Sequence, residues 1–334
     1  MDCRTIALLL VASATVGGAQ ISGLPTGAER ISGGRFTFVA MPADIGLARN
    51  LLAESIARDT FPGLPRPMRR AEIFIAPDDR RFREWMGEGV PEWGAAVAYP
   101  DQHRIVMQGR GADSRAGDPR VTLRHEIAHL ALHEYAGWRL PHWFNEGYAS
   151  YSAGEWGREQ VLASSFVLAL RGVPHLATLD SMISGGTARA EQGYALAHRA
   201  VADIAALDQA GGLTLLFRHL PKTGSLDAAL RTAYGVTLDG FESTWRRSTR
   251  TRYGALALFA DVGFASLVLF LLIAPFWVSR RRRDRSRLAA MAAADAAAER
   301  RDRESAIALL LGETTVKDLD KEQNSGNDDQ IKGA

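Results

Sequence analysis

The stretch 121-VTLRHEIAHLALHEYAGWRLPHWFNEGYASY-151 holds four of the chain's eight histidines, together with three glutamates. Residues 125–129 spell H-E-I-A-H. On an α-helix, positions i and i+4 share a face, so His125 and His129 can offer two imidazoles to one cation while Glu126 projects beside them. Apolar Val121, Leu123, Ile127, Leu130 and Leu132 surround these polar positions, and Asp118 and Pro119 supply an N-cap and a first helical residue. A metal site of catalytic type takes a third protein ligand and keeps one position for water. Six residues past His129, where one known spacing puts a third histidine, stands Tyr135. The better candidate lies across a turn. Pro141 opens a second helix, and Glu146 within it faces back across an antiparallel helix hairpin. Gly147 beside it removes a side chain where two helices must approach closely.

Outward from this stretch, the chain before it alternates strands and helices. Residues 35–40 (RFTFVA) and 71–77 (AEIFIAP) read as strands, 42–60 and 78–86 as helices, and 94–109 as two strands joined at Pro100-Asp101. After the stretch, helices are expected at roughly 141–153, 158–171, 190–209, 212–219, 225–234 and 238–252. A mixed sheet followed by a helical half is an α+β layout. The strand from His103 to Gln108 is expected at the sheet edge above the motif helix, where an extended peptide could pair with it.

H-E-x-x-H followed by LPHWFNEGYASY resembles the gluzincin clan of zinc metallopeptidases, and more narrowly the bacterial peptidase-MA-like proteins with a W-x-x-E-G-x-A second helix. GAAVAYPDQHRIVM before the motif, and YALAHRAVADIAAL and LDAALRTAYGVTLDGFESTWRR after it, carry the same likeness, which covers roughly residues 35–250. The resemblance implies a zincin-like domain hydrolysing peptide bonds, with Zn2+ on His125, His129 and Glu146 and with Glu126 as general base. It also brings a Tyr-bearing helix near the metal. Tyr194, with His198 one turn later, is thereby the candidate donor to the developing oxyanion, and core packing is the competing role for Tyr194. One departure stands out. Thermolysin-like members have Asp four residues after the ligand Glu, supporting a ligand histidine, and Ser150 occupies that position. The support is then weaker or supplied from elsewhere.

The other histidines receive plainer readings. His133 lies one turn past His129 and is a weaker contender for the metal; His142, near Glu146 in sequence, reads first as turn-exposed with lining of the cleft as its alternative, and His175 and His219 read as surface or loop residues. The tryptophans at 85, 93, 138, 143 and 156 read as packing residues.

The ends of the chain set where this domain works. Arg4, the apolar run Ile6–Val16 and the small residues Gly17, Gly18 and Ala19 have the layout of a secretory signal over residues 1–19. Residues 20–253 form the extracytoplasmic domain. Ala255–Val278 is apolar apart from Asp261 and as a helix would span roughly 36 Å, more than a ~30 Å hydrocarbon core. Tyr253 and Trp277 flank this expected transmembrane helix, and Arg280–Arg283 follow it, which assigns residues 279–334 to the cytoplasm. That tail is Ala/Arg-rich and then polar, with no catalytic motif and an unknown partner. The single cysteine, Cys3, falls in the signal, so a disulfide framework is excluded. A net charge of +2, with its basic part beside the membrane segment, gives no sign of a nucleic-acid partner. The expected partners are a peptide or protein substrate and the lipid bilayer of the inner membrane. The alternative is an inactive zincin-fold scaffold or sensor of the envelope, which would have no use for Glu126.

Overall fold

The structure is a computed structural model and describes residues 26–86, 95–111, 117–137, 140–155, 162 and 172–310, with the side chains of 187, 254–265, 267 and 268 left aside. The expected signal segment, almost all of the helix expected over 158–171, and Trp93, Trp138 and Trp156 lie outside the described residues. So does the tail from 311 onward. The chain divides into two compact units, Met1–Ala260 and Asp261–Ala334.

In the first unit, five strands form one mixed sheet: β1 (Glu29–Gly33), β2 (Phe36–Ala40), β3 (Ala71–Ala76), β4 (Ala96–Tyr99) and β5 (Arg104–Gln108), in the order β1-β2-β3-β5-β4. β2, β3 and β5 run parallel, with Phe38 opposite Ile73 and Ile73 opposite Ile105. Each outer strand pairs antiparallel, Ile31 with Phe38 and Ala98 with Ile105. Because side chains alternate along a strand, the sheet has two distinct faces. Phe36, Phe38, Ile73, Ile75, Ile105 and Met107 enter the main helical core. Val39, Phe74, Val97, Tyr99 and Val106 meet Phe82, Trp85 and Met86 of α2 (Asp79–Met86) on the other.

Two elements differ from the sequence reading. β5 is not the edge: it pairs with β3 on one side and β4 on the other, and β4 is the outermost strand. Ile105, Val106 and Met107 are apolar toward both faces and at most 1% exposed, as a central strand requires. The chain reverses between the two strands at Pro100–Gln102, with His103 in the left-handed conformation (φ 49°, ψ 45°). β1 was unmarked because its residues, ERISG, are mostly solvent-facing and carry no alternation.

The main face is covered by α1 (Ile45–Ala57) and α3 (Pro119–Ala136), followed by α4 (His142–Ala153), α5 (Leu176–Ile183), α6 (Thr187–Ala205), α7 (Thr214–Thr223), α8 (Leu226–Tyr234) and α9 (Leu238–Thr249). α5 has no counterpart in the sequence reading; at two turns it holds its shape through packing, with Leu176, Leu179, Met182 and Ile183 buried. α7 runs past Pro221, where the sequence reading stopped it short. Proline there leaves the carbonyl of Phe217 without its helical donor, and the Tyr135 hydroxyl of α3 donates to it at 2.7 Å. Tyr135 is thus a tie between helices. Trp85 and Trp143 are buried, 5% and 2% exposed, as packing residues.

The last helix, α10 (Ala255–Leu310), carries the expected span 255–278 at its start. Among the described residues, no helix is long and apolar enough to cross a membrane.

Candidate metal centre

α3 starts where its sequence says it should. Pro119 occupies the first turn, and the Asp118 carboxylate accepts a hydrogen bond from the Arg120 amide at 2.9 Å. The helix is then buried through its middle, which places His125, Glu126 and His129 inside the protein at 0%, 0% and 4% exposure. α4 returns alongside. Arg124 locks the pair, donating to the carbonyls of Ser152 (2.8 Å), Arg58 (2.6 Å) and Thr60 (2.9 Å).

Glu146 on α4 is fully buried and reaches the two imidazoles: its Oε2 is 3.6 Å from His125 Nε2 and 3.8 Å from His129 Nε2. One ligand atom from each of His125, His129 and Glu146 lies within 4.8 Å of the others. Both Nε2 atoms and both Glu146 oxygens are buried without a hydrogen-bond partner, as are both oxygens of Glu126. A buried polar atom left unpaired is costly, and a convergent set of lone pairs is what a cation would satisfy. The donor set, two imidazole nitrogens and one carboxylate, fits a divalent transition metal.

Gly147 proves necessary for a different contact from the one its sequence position suggested. A Cβ there would stand 2.4 Å from the Ala197 carbonyl oxygen and 2.9 Å from Val201 Cγ2, both on α6. The close approach is therefore between α4 and α6, and it seats the helix of Tyr194 against that of Glu146. Tyr194 is fully buried three residues before Ala197, on the same side of α6.

Support for the ligand histidine comes from a residue the sequence reading did not single out. The Glu155 carboxylate lies 2.7 Å from His125 Nδ1 through Oε1 and accepts from the Ser150 hydroxyl at 2.7 Å through Oε2. Ser150 does not substitute for the missing Asp; it holds a carboxylate that arrives from five residues further on. An ionised Glu155 keeps the proton on Nδ1 and so leaves Nε2 as the atom that a cation would take.

His142 corrects another reading. Its Nδ1 lies 3.6 Å from Glu146 Oε1, beside the cluster, and its side chain is only partly exposed at 27%. His133 points away, with Nε2 3.4 Å from the Asp101 carboxylate. His175 is on the surface and meets Glu242 and Arg246.

Without a cation the cluster is electrostatically frustrated. Burial pushes the Glu126 carboxyl up to about 8, with Glu146 adding and His125 opposing. Burial takes His129 down to about 4 against the pull of Glu146. Burial also works against a charged His125, but Glu155 and Glu146 outweigh it and hold this imidazole well above its usual value. Glu146 stays below the usual carboxylate range: burial opposes this, and His129, His125 and His142 prevail. The Ala98 amide of β4 favours the charged form of Glu126, though it stops short of a full hydrogen bond. The edge strand thus borders the cluster.

A sheet covered by a buried His-Glu-His helix, with a carboxylate supplied by the next helix, defines a zincin-like peptidase fold with a site able to bind a metal. The chain belongs to the Peptidase MA superfamily, whose family model matches residues 63–251. No curated protein matches the chain.

Proposed function

We propose that this protein is a zinc-dependent peptidase of gluzincin type, tethered to the inner membrane with its catalytic domain on the extracytoplasmic side. The observation that carries the reading is the convergence of the His125, His129 and Glu146 ligand atoms within 4.8 Å, all buried, beside a second buried carboxylate, Glu126. A scaffold would need only the fold. Keeping Glu126 buried and unpaired is a cost that a chemical role explains.

His125 and His129 through Nε2, and Glu146 through Oε2, would hold Zn2+, with Glu155 fixing the His125 ring. When bound, the ion supplies Lewis-acid activation of a water and of the scissile carbonyl. Glu126, buried beside the ligand atoms, takes the proton from the attacking water and returns it to the leaving amine. Tyr194 is the proposed donor to the oxygen on which negative charge develops.

The tether rests on residues 255–278 and the arginines after them. Leu269–Ile273 and Phe276–Val278 are 43–77% exposed, an apolar stretch that water disfavours and a bilayer would cover, and Arg280–Arg283 follow at once. A signal over residues 1–19 and a cytoplasmic tail over 279–334 complete the proposal.

The test pairs metal analysis with cleavage of an unstructured protein. Wild type is expected to hold about one zinc and to cleave. Glu126→Ala should keep the zinc and lose cleavage; undiminished turnover would remove the base. A reporter fused after Arg287 should be active in the cytoplasm, and activity only outside would reverse the topology.

A further inference from the structure

The carboxylate of Glu146 has two oxygens, and the fold gives them different neighbours. Oε2 faces the imidazoles, 3.6 Å from His125 Nε2 and 3.8 Å from His129 Nε2. Oε1 faces His142, whose Nδ1 stands 3.6 Å away. His142 opens α4 four residues before Glu146, so the two share a face of that helix. Of the three histidines around Glu146, His142 is the one substantially open to solvent, its side chain 27% exposed against 0% for His125 and 5% for His129. It does not belong to the ligand set: the group whose ligand atoms lie within 4.8 Å of one another consists of His125, His129 and Glu146.

The turn that carries His142 is held from outside α4. Pro141 is its N-cap and has no side-chain group to satisfy the first amides of the helix. Asp180 of α5 does so instead, its carboxylate accepting from the Trp143 amide at 2.7 Å. Gly147 seats the same helix against α6. His142 and Glu146 thus ride on one backbone fixed by two neighbouring helices. The 3.6 Å from Nδ1 to Oε1 is just outside direct hydrogen-bond reach and leaves Oε1 without a partner. A ring displacement of about 0.5 Å closes it. The consequence follows from the number of ligand atoms. A catalytic site of this type takes three protein ligands and leaves one position open. A carboxylate can hold a cation through one oxygen or through both, and Glu146 bound through both would take up that open position. An N–H donor on Oε1 satisfies that oxygen and leaves Oε2 alone to the cation.

We propose that His142 is a positioning residue that restricts Glu146 to single-oxygen ligation and so keeps one coordination position open for water and substrate. The inference rests on the metallopeptidase reading above, and its test separates the two. Metal-stripped full-length protein is loaded with Co2+, whose visible absorption weakens as the ion gains ligands, and in parallel with zinc for cleavage of an unstructured protein. His142→Leu keeps an apolar bulk at the site and removes the donor. It should still take up the ion, with weaker Co2+ absorption per bound ion. Its kcat should fall by about 10- to 100-fold, the range for outer partners of metal ligands, at little-changed KM. His142→Asn places an amide nitrogen close to where Nδ1 stands and should restore both the spectrum and kcat. A ring needed only for packing would not be replaced by this smaller side chain. Circular dichroism checks the fold of each variant, and if His142→Leu does not fold, the Asn spectrum decides alone. A wild-type spectrum in folded His142→Leu, or absorption in His142→Asn weaker than in wild type, overturns the positioning role and leaves the metal site standing. Failure of the wild-type protein to bind either ion overturns the metallopeptidase reading and this inference together.

Discussion

Replacing Glu155 by glutamine tests whether the carboxylate beside His125 tunes the metal centre. The side chain lies 2.7 Å from His125 Nδ1 and 2.7 Å from Ser150 Oγ. Glutamine preserves the shape and one acceptor oxygen but removes the charge, and its NH2 can face the imidazole only by displacing the ring proton. Outer partners of metal-bound histidines typically contribute about 10- to 100-fold in affinity, or roughly 1.4–2.7 kcal/mol. The loss should sit toward the upper end, because the pair is buried, with His125 at 0% exposure and Glu155 at 8%, so water does not screen it. Ser150→Ala removes only the hydrogen bond that orients Glu155, and its effect should be about 0.5–1.5 kcal/mol. Since Ser150 acts through Glu155, the double variant should bind zinc no more weakly than Glu155→Gln. The assay is competitive zinc titration against a chromophoric chelator, with circular dichroism to confirm the fold. Wild-type affinity in Glu155→Gln, or additive losses in the double variant, would refute the assignment.

Two further outcomes follow from the packing and the charges. Gly147→Ala places a methyl 2.4 Å from the Ala197 carbonyl oxygen and should destabilise the domain by about 1–3 kcal/mol, read from denaturant unfolding; an unchanged midpoint would mean that α4 and α6 are not in the contact described. His103 is held down to about 4, by burial first and then by Arg69, with Arg35 and His133 adding and Glu134 opposing. An unfolded histidine titrates near 6.5, so the unfolded chain takes up this proton first. The corresponding stability, up to about 3 kcal/mol, is complete above pH ~6.5 and is lost as the pH falls toward 4. His103→Asn, which tolerates the left-handed backbone at φ 49°, should flatten unfolding stability across that window; an unchanged slope would assign the pH dependence elsewhere.

Much of the centre was legible from residue order because helical periodicity is a local rule. His125 and His129 share a face by their spacing alone, Asp118-Pro119 mark the start of their helix, and a short turn returns Glu146 on the next one. The α+β layout followed likewise from alternation before the motif and helical spacing after it. What residue order left open depends on which surfaces meet. Glu155 lies beyond the end of α4, and no period links it to His125, so only the fold reveals that it replaces an aspartate at 150. β4 and β5 both carry an apolar run, and their order in the sheet is decided by which of them pairs with β3. Gly147 announces a close approach without naming its partner, since a missing side chain is compatible with any neighbour; α6 fills that place. Tyr135 and Pro221 look unrelated in sequence, yet the carbonyl that the proline leaves unpaired is satisfied by the tyrosine. Local geometry thus determined which groups could act together, and long-range packing decided which groups hold them in place, because hydrogen bonds and close contacts between distant segments exist only once the core has formed.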